Sequence, residues 1–144
     1  MQVRDMMSSD ARVANPETTI QQAARLMAGI DAGFLPVGEK DQLVGMITDR
    51  DIAVRAVALG LGPDTPVRDV MTSDVKYCFF DQEIEEVTAN MADIQVRRLP
   101  VLDRNKRLVG VISLGDIALR NTDGAAGEAL IGISRPGGDH SQTG

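Results

Sequence analysis

The sequence has no tryptophan, one tyrosine, three phenylalanines, one cysteine and one histidine. With so few rings, the core has to be aliphatic, drawn from the Val, Ile, Leu, Met and Ala that dominate the 43% hydrophobic fraction. One cysteine, Cys78, allows no intrachain disulfide and argues against a secreted disulfide scaffold. One histidine, His140, lies close to the last residue, so neither a Ser-His-Asp set nor a Cys/His metal cluster can be assembled around it. There is no Walker loop and no G-x-G-x-x-G run. No apolar stretch approaches the roughly 18 residues of a membrane span. The opening Met1-Gln2-Val3-Arg4-Asp5 carries no apolar signal region, so a cytoplasmic location is the expectation. Positive charge is also scarce: 15 Lys and Arg stand against 21 Asp and Glu, a net charge of −6. That balance argues against nonspecific nucleic-acid partners and against attraction to anionic membranes.

What is present is a repeat. Val3-Arg4-Asp5-Met6-Met7-Ser8-Ser9-Asp10 and Val67-Arg68-Asp69-Val70-Met71-Thr72-Ser73-Asp74 match at six of eight positions. The correspondence continues through Ile20, Met27, Ala28 and Ile30 against Ile84, Met91, Ala92 and Ile94, and through Leu35-Pro36-Val37 against Leu99-Pro100-Val101. One residue inserted in the second copy then shifts the frame. Leu43-Val44-Gly45 meets Leu108-Val109-Gly110, and Asp51-Ile52-Ala53 meets Asp116-Ile117-Ala118. Two copies of a period this long read as duplication of a small domain rather than as a solenoid. A unit of ~60 residues buries a modest fraction of its surface and is marginal alone, so the two copies are expected to support each other. The division is 1–60 for the first repeat, 61–66 for a linker, 67–121 for the second repeat and 122–144 for a flexible tail, with a short helix at about Ala126–Ile133.

Each copy carries the same order of elements. A brief strand is expected near Ala11–Ala14, and near Val75–Phe79 in the second copy. A helix follows at about Thr18–Gly29, with Ile20, Ala23, Ala24, Met27 and Ile30 at helical spacing. Its counterpart has Ile84, Val87, Met91 and Ile94, with Asp81 as the expected N-cap. Phe34-Leu35-Pro36-Val37, a polar turn and Leu43-Val44-Gly45-Met46-Ile47 read as a hairpin. The proline points to an edge or strand-end position. A second helix spans about Asp49–Leu59 and is stopped by Gly60 and Gly62. The fold class is mixed α/β (α+β): β-α-β-β-α, twice.

Thr48-x-x-Asp51 and Ser113-x-x-Asp116 each stand where an apolar, glycine-containing strand gives way to a helix. Free backbone N–H groups there suit an anion or an oxygen-rich ligand. A carboxylate can accept two hydroxyl hydrogen bonds from a ribose diol, and a Ser or Thr hydroxyl can donate to a phosphate or ribose oxygen. The same spacing is also a capping box, which closes a helix start with no ligand; both uses remain open and are compatible. The doubled pattern, with Leu-Pro-Val upstream in each copy, resembles the CBS domain pair (the Bateman module) over about Val3 to Arg120. That resemblance implies that Thr48 and Asp51, and Ser113 and Asp116, hold the ribose-phosphate part of an adenosine nucleotide. It places Phe34 and Pro36, and Arg98 and Pro100, near the base. Copy one has Asp49-Arg50 where copy two has Leu114-Gly115, and Gly33-Phe34 where copy two has Arg97-Arg98. Arg50, Arg97 and Arg98 can meet phosphates in the cleft between the repeats, or be solvated surface arginines.

The function expected from the resemblance is a noncatalytic regulatory module that senses an adenine nucleotide (AMP, ADP or ATP) or a related adenosyl compound. The alternative is a ligand-free structural or protein-interaction module. A small hydrolase would need an Asp or Glu as its base, and no catalytic residue is assigned. No cofactor is required and no metal site is expected. A homodimer paired through aliphatic helix faces is expected, with output through an effector protein or the oligomer itself. Cys78, between Tyr77 and Phe79, is read as a small buried hydrophobe rather than a redox sensor.

Overall fold

In the computed structural model, residues 1–9, 11–120, 127, 132 and 133 are described. Each repeat opens on the same three residues in a 3₁₀ turn, Val3–Asp5 and Val67–Asp69. Neither turn packs on the helix of its own repeat. Val67 donates to the Thr18 carbonyl (2.7 Å) and Arg68 to that of Pro16 (3.1 Å). Val3 donates to Gln82 (2.9 Å) and Arg4 to Phe80 (2.8 Å). The chain therefore divides into two units that are not the sequence repeats. One unit holds Arg12–Val75 and Lys106–Leu108; the other holds Met1–Ala11, Lys76–Asn105 and Val109–Gly144.

In the first unit, helix α1 (Ile20–Ile30) begins at Thr19, whose hydroxyl accepts from Gln22 N while the Gln22 side chain accepts from Thr19 N. Ile20, Ala23 and Met27 face inward, one stripe of a 3.6-residue period. Ala24 and Ile30, expected on that stripe, lie exposed. The helix ends at Asp31 in the left-handed region (φ 53°). Strands β1 (Phe34–Glu39) and β2 (Gln42–Thr48) form an antiparallel hairpin. Lys40 and Asp41, both at positive φ (53° and 64°), make the two-residue turn that matches strand twist. The strand expected at Ala11–Ala14 reduces to one parallel bridge, Ala14 to Val37. Pro36 lies inside β1, an edge strand of this two-stranded sheet. Its carbonyl accepts from Ala14 N (2.9 Å), so its missing N–H falls on the side of β1 where pairing is a single bridge. Helix α2 (Asp49–Asp51) runs on through a π-helical stretch, Ile52–Ala56, and a 3₁₀ turn, Val57–Leu59, to Gly60 at φ 78°. The core is aliphatic: Leu35, Val37, Ile47, Ala56 and Val67 are fully buried, packed with Ile20, Ala23 and Met27.

In the second unit, β3 (Cys78–Phe79) pairs parallel with β4 (Arg98–Leu102), and β5 (Leu108–Ser113) lies on the other side of β4. Helix α3 (Ile84–Ile94) buries Ile84, Val87, Thr88 and Met91. Its N-cap is Glu83, with no side-chain cap, and not Asp81. Asp81 is drawn instead to Arg104 in the β4–β5 turn, where a full charge outweighs a helix dipole. Helix α4 (Leu114–Arg120) follows β5 directly. Val3, Met6, Cys78, Val101 and Ile112 complete this core. The expected helix at Ala126–Ile133 and the 122–144 tail lie outside the described residues, except Gly127, Gly132 and Ile133, which are helical.

Gly45 and Gly110 explain the Leu-Val-Gly runs. A Cβ on Gly45 would meet Met71 Sδ at 2.6 Å and the Thr72 carbonyl at 2.9 Å; one on Gly110 would meet the Ser8 carbonyl at 2.6 Å. Those neighbours belong to the opening segments, which bridge β2 and β5 through Met46–Thr72 and Ser8–Val111. Backbone approaches backbone here, and only glycine leaves room.

Candidate functional site

Two strand-to-helix junctions stand out. At the first, β2 ends with Thr48 in extended conformation (φ −119°, ψ 162°) and α2 begins one residue later. Thr48 Oγ1 accepts from Asp51 N at 3.0 Å, and Asp51 Oδ2 accepts from Thr48 N at 3.0 Å. Each oxygen satisfies a donor that a helix start leaves open. Asp51 is 14% exposed, and its Oδ1 lies 3.9 Å from Arg55 Nη1. Arg55 also reaches the carbonyls of Val70 and Met71 at 3.4 Å. Phe34 pairs directly across the hairpin from Thr48, and Phe34 and Pro36 are both buried. Asp49 N donates to the Gly33 carbonyl at 2.9 Å, and Arg50 N donates to Asp49 Oδ1 at 2.8 Å. The Arg50 residue is exposed.

The second junction repeats the geometry in the other unit. Ser113 Oγ accepts from Asp116 N at 3.1 Å, and Asp116 Oδ2 accepts from Ser113 N at 3.1 Å. Leu114 N donates to the Arg97 carbonyl at 2.9 Å, as Asp49 N does to Gly33. Pro100 is buried within β4, and Arg97 and Arg98 are exposed at the start of that strand. Arg50 belongs to the first unit, and Arg97 and Arg98 to the second.

Both boxes are thus closed within the protein, and each Asp keeps further acceptor capacity, since a carboxylate has about four lone-pair sites. Arg55 went unnoticed in the sequence; the signal was Asp51-x-x-x-Arg55, an i,i+4 pair. Gly33 and Asp49 stood out only as differences between the copies, and their contact with each other was invisible.

Two other groups carry shifted ionisation. Cys78 is buried, its Sγ 3.8 Å from the Pro100 carbonyl. Burial pushes its thiol up to about 12, so it is not a thiolate at neutral pH. The Arg104 guanidinium holds the Asp81 carboxyl below its usual value, through a hydrogen bond first and charge second. The pair is two-pronged, a hydrogen bond from Nε to Oδ2 at 3.0 Å and a charge contact of Nη2 with Oδ1 at 2.7 Å. Arg104 also lies over the Phe79 ring, 4.3 Å from its centroid. This cluster fastens the β4–β5 turn to β3. Among the described residues no group of three or more His, Cys, Asp or Glu is placed to hold a metal ion. Among them also, no helix is long and apolar enough to cross a membrane.

The CBS domain family model matches residues 3–57 and 67–120. The CBS domain-containing protein YhcV of Bacillus subtilis is 41% identical over 133 residues, covering 92% of this chain and 94% of that protein. Hypoxic response protein 1 of Mycobacterium tuberculosis is 38% identical over 117 residues, 80% of this chain and 81% of that one. The crystal structure of Hypoxic Response Protein I with two coordinated zinc ions superposes with TM-score 0.77 at 35% identity, covering 85% of this chain and all of that one. The CBS domain pair of protein MJ0100, in complex with 5′-methylthioadenosine and S-adenosyl-L-methionine, gives TM-score 0.73 at 28% identity, over 83% of this chain and 94% of that one.

Proposed function

The chain belongs to the CBS domain family, with two CBS repeats in tandem, and from that premise we propose that it is a noncatalytic regulatory module binding an adenine nucleotide or related adenosyl compound at its two junctions. The observation that carries this reading is the doubling of one geometry. Thr48 with Asp51, and Ser113 with Asp116, each set a hydroxyl and a carboxylate at a strand end, beside a buried Phe34 and Pro36 in one unit and a buried Pro100 in the other. The carboxylates suit a ribose diol and the apolar strand residues suit a purine face. MJ0100, a related pair, holds two adenosyl compounds. Thermal shift with AMP, ADP, ATP and S-adenosylmethionine tests the reading, because a ligand of the native state alone raises its melting temperature. A rise that Asp51→Ala or Asp116→Ala removes supports it; no rise at millimolar ligand overturns it.

A second reading has its own observation. Both boxes close without ligand, and the chain after α2 exposes Val54, Val57 (66%), Leu59 (72%) and Leu61. An apolar surface of this kind suits a second copy of the chain, and twofold pairing is the commonest oligomer geometry. A homodimer built there acts as a structural or interaction module, with or without nucleotide, and passes any signal to an effector protein. Light scattering after size exclusion tests it: a mass twice the 15.4 kDa chain is expected, lost on Val57→Glu, and a monomer overturns it.

A further inference from the structure

Among the positions at which the two junctions differ, one pair, Gly33 with Asp49 against Arg97 with Leu114, bears on the charge each can accept. We propose that Asp49 makes the repeat-1 junction selective for an adenosyl compound bearing no phosphate on its ribose; this rests on the reading of the junctions as adenosyl sites.

A phosphate at a helix start is held by free backbone N–H groups. At this junction they are all taken from within. Asp49 N donates to Gly33 O (2.9 Å), Arg50 N to Asp49 Oδ1 (2.8 Å), Asp51 N to Thr48 Oγ1 (3.0 Å) and Thr48 N to Asp51 Oδ2 (3.0 Å). Asp49 thus puts its own carboxylate on the donor that an anion would use. Its other oxygen lies over Gly33, only 2.7 Å from where a Cβ would stand. Gly33 directly precedes Phe34, the ring assigned to the base. A ligand with its base at Phe34 and its diol at Asp51 places its ribose next to this negative charge. Arg50 does not screen it, because successive helical residues project about 100° apart and do not face each other.

Repeat 2 has exchanged both members of the pair. Leu114 replaces Asp49, turns into the core and is 9% exposed; it offers no charge and no acceptor for the N–H of Gly115. Arg97 replaces Gly33, and a side chain is tolerated there because no carboxylate lies over that position. Gly33 with Asp49, and Arg97 with Leu114, are therefore one coupled difference. Two like charges about 4 Å apart in water weaken binding roughly fivefold, and salt screens such an exposed pair.

Titration calorimetry of the full chain with adenosine and with AMP, at low and at high salt, tests the assignment. Asp116→Asn identifies the repeat-2 site by weakening it. The remaining site should bind adenosine at least about fivefold more tightly than AMP at low salt, with a smaller gap at high salt. Asp49→Asn keeps an acceptor for Arg50 N and should close the gap. Asp49→Leu, the repeat-2 residue, should do the same and guards against a fault in one variant. An equal gap in both variants, or a wild-type site that prefers AMP, overturns the role of Asp49 while adenosyl binding stands. If neither compound binds the wild-type chain, this inference falls; the adenosyl reading falls with it only if ADP, ATP and S-adenosylmethionine also leave the melting temperature unchanged.

Discussion

Cys78 shows how far one residue's surroundings can be turned into a measurement. It is buried between α3 and the β3–β4 pair, and burial lifts its thiol to about 12. An unfolded cysteine ionises near 8.5. Between those values the unfolded chain has lost a proton that the folded chain keeps, so this group's contribution to stability is complete below about 8.5 and falls by about 1.4 kcal/mol per pH unit above it. Denaturation series from pH 8 to 11 should therefore show a steeper alkaline decline for the wild type than for Cys78→Val. Equal slopes contradict the burial account. Gly110 makes the second residue-scale case. An alanine there drives its Cβ toward the Ser8 carbonyl at 2.6 Å, and backbone cannot swing aside as a side chain can. Gly110→Ala should destabilise by about 1–3 kcal/mol in urea unfolding, and a change under 0.5 kcal/mol contradicts the close approach.

Among the elements, the two long helices share a stripe and a left-handed end but not a beginning. Thr19 closes a box with Gln22, whereas Glu83 makes no side-chain cap. Thr19→Ala should cost about 1 kcal/mol, while Glu83→Ala should cost almost nothing; melting curves of the two variants check the contrast. The hairpins, the helix stripes and the Thr/Ser-x-x-Asp boxes were legible in the sequence because they are local, set by spacings of two to four residues. The β4–β5 turn even carried the inserted residue that shifted the repeat frame. Asp81 was misread as a helix cap because its partner, Arg104, is 23 residues away, and no local pattern announces such a pair. The proline of Leu-Pro-Val was expected at an edge or a strand end. Pro36 sits in the edge strand β1, whereas Pro100 lies in β4 between β3 and β5, where the neighbouring β3 has only two residues and is too short to need its N–H.

For the whole molecule, the feature no spacing revealed is the exchange of opening segments. The repeat is obvious in the letters, yet the letters do not say that Val3 and Met6 fill the core beneath α3, or that Val67 and Val70 fill the one beneath α1. Met6 is 1% exposed, so Met6→Ala should cost about 2–5 kcal/mol. Its signature is where the loss falls. Hydrogen exchange should quicken in α3 and β4, more than sixty residues along the chain, before it quickens in α1 and β1. Faster exchange in α1 first contradicts the exchanged packing. The same exchange ties each junction to both repeats, since the opening segment of one repeat lies against the strand that ends at the other repeat's Thr48 or Ser113. The central claim is that those two junctions bind an adenosyl ligand. Its most direct test is a titration of the isotope-labelled chain with AMP and adenosine, following backbone amide resonances. The account predicts saturable shifts led by Thr48, Asp51, Ser113 and Asp116; no shifts at millimolar ligand, or shifts centred elsewhere, contradict it.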